Sequence, residues 1–163
     1  MKSKFRYTAY LTAVGCTFGA FLLVGFFFEY AVKPTTPILL FFIMCAFFVF
    51  VFIGFLFGEF RAKIISVEIT SDRVCVKRYL GLGGINVYPM GEITGFNTSD
   101  LPSKVKTYEY LYLMVDNRKI AKLSEYYHAN YKDLKESIVA NNIKNLGFKP
   151  FSNREELKDI FSK

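Results

Sequence analysis

The chain has 163 residues, is 52% hydrophobic and 18% aromatic, and sets 21 Lys or Arg against 14 Asp or Glu for a net charge of +7. Its apolar residues are gathered at the N-terminal end, which excludes an ordinary water-soluble globule over that stretch. Three scattered cysteines exclude a disulfide scaffold, and a basic surplus diluted by Asp100, Glu109, Asp116 and Glu125, with no accompanying motif, speaks against nucleic-acid binding.

Two uncharged apolar runs, 7–28 and 35–58, both exceed the roughly 20 residues a helix needs to cross a hydrocarbon core of about 30 Å. Spans are expected at about 8–28 and 36–58, forming a transmembrane hairpin within residues 1–60. Pro34-Thr35-Thr36-Pro37 breaks helix geometry between them and permits a tight reversal. Lys2, Lys4 and Arg6 precede the first span, Lys33 alone sits in the loop, and Arg61 and Lys63 follow the second. The positive-inside rule then predicts a multi-pass protein of the cell membrane with both termini cytoplasmic. The same start would suit a signal peptide, but the apolar run is longer than the usual one and residues 29–33 make a poor cleavage site. Gly15 and Gly19, and Gly54 and Gly58, are spaced by four and are expected to pack helices, either closing the hairpin or forming a dimer seam. Neither run holds an Asp, Glu, Lys, Arg or His, so a proton relay or ion path has no support.

From residue 61 the pattern changes. Ile65, Val67 and Ile69 alternate with Ser66, Glu68 and Thr70, which predicts a strand with one buried face, followed by a turn at Ser71-Asp72. A second strand is expected over 73–80, a reversal at Gly81-Leu82-Gly83-Gly84, a third strand over 85–88 ended by Pro89, and a fourth over 92–98. A polar loop through Asp100, Pro102 and Lys104 leads to the clearest hairpin, with arms 107–115 and 118–123 about Asp116-Asn117. Asn130 is a candidate N-cap for a helix on which Leu134, Ile138, Val139, Ile143 and Leu146 share a face, with Gly147 and Pro150 as its stop. Ser152 and Glu155 form a capping box before Leu157, Ile160 and Phe161, which suggests a last short helix. The predicted fold class is therefore a membrane α-helical hairpin followed by a small α+β domain at 61–148, with an extension at 149–163. Its antiparallel sheet should curl into a small barrel or sandwich plugged by the helix.

The turn at Val67-Glu68-Ile69-Thr70-Ser71-Asp72-Arg73, the basic pair Lys77-Arg78, the Gly-rich reversal, the segment Tyr88-Pro89-Met90-Gly91-Glu92-Ile93 and the terminal amphipathic helix together resemble the bacterial pleckstrin-homology-like (PH-like) domain, including its membrane-hairpin variety. The resemblance implies a strongly bent antiparallel barrel or sandwich capped by a C-terminal helix. The chain departs from commoner members in lacking Trp and in placing Gly83-Gly84 where many carry polar residues. It also lacks a full phosphoinositide-type basic cluster, so the resemblance implies interaction or scaffolding more than headgroup recognition.

No catalytic, cofactor or metal constellation emerges. Cys16 and Cys45 lie in the apolar runs, Cys75 within a strand, and His128 beside Tyr126 and Tyr127 reads as a cap or packing residue. The leading expectation is a non-catalytic membrane-anchored adaptor or scaffold that meets a membrane or cytoplasmic protein, or itself, through Tyr108, Tyr110 and Tyr112. The second is an anionic-lipid module using Lys104, Lys106, Arg118 and Lys119, with Lys122 nearby. The third, an enzyme, requires a polar pocket assembled from distant residues about His128, Glu92 or Asp72.

Overall fold

A computed structural model describes residues 1–33, 37–101, 106–152 and 154. The reversal at 34–36, Lys104 and the short helix expected beyond Ser152 lie outside the described residues. Helix α1 is Tyr7–Val32, and α2 is Ile38–Ile53, which widens into a π-helical stretch at Gly54–Arg61. Both helices are long and apolar enough to cross a membrane, and almost none of either is buried within the protein. Side chains such as Leu39 and Phe50 stand 71% and 77% exposed, an arrangement that hydrocarbon tolerates and water does not. Phe41 is the clasp between the helices: it is buried, with Tyr30 stacked on it at 3.8 Å and Phe26 at 5.4 Å between ring centres.

The remainder folds as two sheets with a helix. Strands β1 (Ser66–Ile69), β2 (Arg73–Lys77) and β3 (Ile85–Pro89) form an antiparallel sheet in that order. Strands β4 (Gly95–Leu101), β5 (Tyr108–Val115), β6 (Arg118–Ser124) and β7 (Asn145–Phe148) form the second, in the order β6-β5-β4-β7. Helix α3 is Tyr131–Ala140. The expected apolar alternation of β1 and β2 supplies Val67, Ile69, Val74 and Val76 to one core, which Phe96, Leu111, Leu113 and Leu123 meet from the second sheet and Leu134 and Ile138 plug from α3.

Several expectations are corrected. Neither sheet closes into a barrel, and among the described elements a further strand, β7, follows helix α3. Helix α3 stops at Ala140 because Asn141 is a poor helix former and Asn142 turns left-handed at φ 56°, a conformation Asn tolerates. Leu146 and Gly147, read as the end of that helix, lie instead in β7, which pairs parallel to β4. Strand β2 ends at Lys77, because Tyr79 and Leu80 already adopt positive φ and begin the reversal before the glycines. Strand β4 starts at Gly95, later than predicted. The type I′-like turn at Asp116-Asn117, both with positive φ, joins β5 to β6 where expected.

Gly95 permits the close approach of the segment entering β7: a Cβ there would sit 2.6 Å from the Lys144 carbonyl oxygen and from Leu146 Cγ. Backbone cannot yield as a side chain does. Gly95→Ala is therefore expected to destabilise the domain by about 1–3 kcal/mol through overpacking, read as a lower melting temperature of the purified full chain. An unchanged melting temperature would show that β7 is dispensable.

Residues 1–6, which the sequence assigns to the hairpin, are bonded into the two-sheet domain. The Met1 amine donates to the Ile69 carbonyl, Ser3 N–H to Val67 O (2.8 Å), Arg6 N–H to Tyr127 O (2.8 Å) and Ala129 N–H to Lys4 O (2.7 Å). The Asn130 side chain, expected to cap α3, makes no capping bond; its Oδ1 accepts from Lys4 N–H (2.7 Å) and its Nδ2 donates to Lys2 O (2.9 Å). Residues 1–6 thus run from the edge of β1 to the segment after β6, and they put the start of the chain on the same side of the hairpin as the domain.

Candidate functional site

Where the second apolar helix gives way to charge, its last residues and the two sheets leave a cleft of about 70 Å³ lined by Arg61, Ala62, Ile65, Val76, Arg78 and residues 119–122. Four cationic side chains, those of Arg61, Arg78, Lys119 and Lys122, share this small space. Arg61 ends the π-helical stretch, with its guanidinium 5.7 Å from the centre of the Phe57 ring. Arg78 follows β2 in extended conformation, and its carbonyl accepts from both Gly81 N–H (3.1 Å) and Gly83 N–H (2.9 Å). Gly83 is needed there, since a Cβ would lie 3.1 Å from that same carbonyl oxygen.

The two lysines owe their meeting to a bulge. Residues three apart in a regular strand point to opposite faces, but β6 pairs Ala121 with Leu113 and Lys119 with Met114, leaving Ile120 as the extra residue. Lys119 and Lys122 therefore fall on one face, over the tyrosines of β5. Lys122 Nζ lies 4.2 Å from the Tyr110 ring centre and 5.4 Å from that of Tyr112, and Lys119 Nζ lies 4.6 Å from that of Tyr112.

The other residues singled out by sequence fall elsewhere. Tyr110 and Tyr112 are 1% and 5% exposed, in a cluster with Met114, Leu101 and Phe151, so they are not an open aromatic platform. The alternation of β5 hid this, because both of its faces are covered, one by the core and one by residues 149–152. Tyr108 is half-buried, edge-on to Tyr126 at 5.0 Å. Lys106 donates to Glu125 Oε1 (2.7 Å), a bond that holds the Glu125 carboxyl below its ordinary pKa. Arg118 is exposed beside the Asp116-Asn117 turn. Of the described basic residues expected to act together, Lys106, Arg118 and Lys119, only Lys119 lines the cleft; Arg61, Arg78 and Lys122 complete it, drawn from three separate elements of the chain.

Three of the four spaced glycines of the hairpin make no close approach to other residues. A Cβ at Gly15, Gly19 or Gly54 would meet nothing within 4 Å, and only Gly58 is buried. Gly15 and Gly19 instead line an apolar opening of about 200 Å³ with Leu23, Phe48, Phe52 and Phe55.

His128 is fully buried: Nε2 donates to Ile65 O (2.8 Å), and Nδ1 lies against both the Ser124 N–H (3.1 Å) and the Ser124 carbonyl oxygen (3.0 Å). Asp72 and Glu92 are exposed, and Asp72 is used in its turn, where its Oδ1 accepts from Thr70 Oγ1 (2.7 Å). Among the described residues no group of three or more His, Cys, Asp or Glu could hold a metal ion. No protein family, curated protein or solved structure matches this chain.

The loop after Arg78 abuts the end of the second long helix, with Tyr79 5.8 Å from the Phe60 ring and Leu80 N–H donating to Ile64 O (2.8 Å). At its tip Leu82 stands 84% exposed. The cleft therefore has charge within and an apolar side chain projecting beside it. That arrangement is suited to a ligand whose head is anionic and whose body is hydrocarbon.

Proposed function

We propose that this chain is a two-span membrane protein with both termini in the cytoplasm, whose PH-like domain holds the phosphate of an anionic lipid at the inner leaflet. The observation that carries the reading is the convergence of Arg61, Arg78, Lys119 and Lys122 on one cleft at the base of the second long apolar helix. Guanidinium and ammonium groups at that level attract anionic headgroups by on the order of 1 kcal/mol each. Exposed Leu82 supports it, since a leucine beside the helix exit has hydrocarbon within reach. The bonds tying residues 1–6 to the domain support a common side for the start of the chain and the domain. Two sheets plugged by one helix agree with a PH-like domain in outline.

The test is the lipid content of full-length protein extracted from membranes in detergent-free lipid particles. Arg78→Gln with Lys119→Gln removes about 2 kcal/mol of attraction, so retention of phosphatidylglycerol against phosphatidylethanolamine should fall roughly thirty-fold. Retention equal to that of the unaltered chain sinks the proposal.

The adaptor reading keeps one observation in its favour. β3 has β2 on one side only, and Ile85 and Val87 on it are 54% and 48% exposed, an edge on which an extended partner segment could add a strand. Proteins quantified in the same particles distinguish it: a protein that accompanies the chain and leaves on Val87→Lys, with lipid retention unchanged, makes partner binding the function.

A further inference from the structure

We infer that the loop at 79–84, with Ile85 beside it, is an interfacial anchor: Leu82 and Ile85 sit at the boundary between headgroups and acyl chains of the bilayer that the hairpin crosses, and hold the two-sheet domain against it. The inference rests on reading the hairpin as a membrane span, and it adds to the cleft a second contact with lipid. Register places the loop. Pairing aligns Ser66 with Lys77 and Lys77 with Ile85, so one end of the first sheet is made of the start of β1, the loop and Ile85. The chain enters the sheet at this same end, since only residues 62–65 separate the π-helical stretch from β1. The turn at Ser71-Asp72 marks the other end, beyond the full length of β2 and about 13 Å away at about 3.3 Å per residue. Two contacts fasten the loop to the helix exit, the Leu80 amide on the Ile64 carbonyl (2.8 Å) and the Tyr79 ring against that of Phe60 (5.8 Å).

Composition fits that position. Residues 79–91 contain no Asp, Glu, Lys, Arg or His, the longest such run after residue 61, yet Leu82, Ile85 and Val87 are all exposed. A strand edge that faces water is ordinarily guarded by charge, and this one is not. Charge stands at the root of the loop, on Lys77 and Arg78, the level at which headgroups would meet it. The backbone is adapted in the same sense. Leu80 N–H donates to Ile64 O, Leu82 N–H to Tyr79 O (2.9 Å), and the amides of Gly81 and Gly83 both to Arg78 O. Four successive amides are thus satisfied without water, as a loop entering the dry side of an interface requires. Tyr79, Leu80 and Gly81 take positive φ to make these bonds, so Leu82 projects from a fixed turn. An apolar tip of this kind reaches about 5–10 Å into the boundary between headgroup and acyl chain.

The chain has no Trp, so a single introduced one reports alone. Full-length Leu82→Trp, and in a second preparation Ile85→Trp, is reconstituted in vesicles of phosphatidylethanolamine and phosphatidylglycerol whose acyl chains carry bromine either near the carbonyl end or near the methyl end. Fluorescence of both variants should be quenched more strongly by the shallow bromine than by the deep one, and several-fold more strongly than that of Ser71→Trp at the other end of the same sheet. Phe50→Trp, within the second long helix, reads the span itself. Absence of quenching there refutes the span and the anchor with it. Quenching at 50 with positions 82 and 85 quenched no more than 71 overturns the anchor and leaves the span. Blue-shifted emission at 82 without quenching also overturns it, by assigning the loop to a protein partner or a second copy. Shallow quenching at 82 and 85, with phosphatidylglycerol retention unchanged by Arg78→Gln and Lys119→Gln, would uphold the anchor and refute the cleft.

Discussion

A chain that begins at residue 7 is expected to keep both long apolar helices and lose the order of its two-sheet domain. Residues 1–6 satisfy backbone groups on β1 through Val67 and Ile69 and on the segment after β6 through Tyr127, Ala129 and Asn130. Val67 N–H also donates to Ser3 Oγ (2.9 Å), a bond buried from solvent. Each such bond is worth about 1 kcal/mol net, and a buried amide left without a partner costs about 1–3 kcal/mol, against a total stability of about 5–15 kcal/mol for a domain of this kind. Their joint loss removes much of the margin. Hydrogen exchange on the chain with and without residues 1–6, in the same lipid particles, should show protection lost across 66–69 and 126–130. Equal protection in the two would mean the segment is an ornament.

His128→Ala is expected to cost about 3–5 kcal/mol, since it orphans the Ile65 carbonyl and the Ser124 amide and leaves a cavity beneath Phe5, whose ring centre lies 5.6 Å from the imidazole. The unaltered protein carries a related acid weakness. Burial pushes the His128 pKa below its ordinary value of about 6.5, with the bonds to Ile65 and Ser124 opposing. The native state holds the ring neutral, and the unfolded state protonates it below that ordinary value. Stability is therefore full above about pH 6.5 and falls by up to about 1.4 kcal/mol per unit as pH drops toward the lowered native pKa. Glu125, held low by Lys106, contributes its loss only below the ordinary carboxylate range, so a slope between pH 5 and 7 does not come from it. Melting temperatures between pH 5 and 7 should slope in the native chain and flatten in His128→Gln. A slope retained in that variant would assign the acid weakness to another group.

Regular periodicity carried most of what could be read from the residues. Apolar runs without charge marked both long helices, and period-two alternation marked β1, β5 and β6, because in these elements burial follows spacing alone. What escaped reading depends on a local irregularity or on distance along the chain. The bulge at Ile120 shifts the phase of β6 by one residue, so Lys119 and Lys122 appear to face apart until the register is known. Arg61 and Arg78 join them only through tertiary packing. Asn130 carries the signature of a helix cap, yet its side chain serves residues 1–6, a partnership no window of sequence contains. The glycine spacings matched a packing motif, but Gly15 and Gly19 border an apolar opening, which spacing alone does not reveal. In β5, alternation could not reveal that Phe151 and Leu101 cover the face holding Tyr110 and Tyr112.

The bond between Lys4 and Ala129 joins residues made early to residues made late, with the whole hairpin between them. If the hairpin crosses a bilayer, that bond requires residues 1–6 and the two-sheet domain to stand on one side of it. A molecule whose hairpin crosses the bilayer only once strands residues 1–6 on the wrong side, where they cannot reach β1. That molecule presents an unfinished strand edge and a buried-type His128 pocket open to water, the marks by which quality-control proteases choose their substrates. Closure of the domain requires residues 1–6 on its own side of the hairpin.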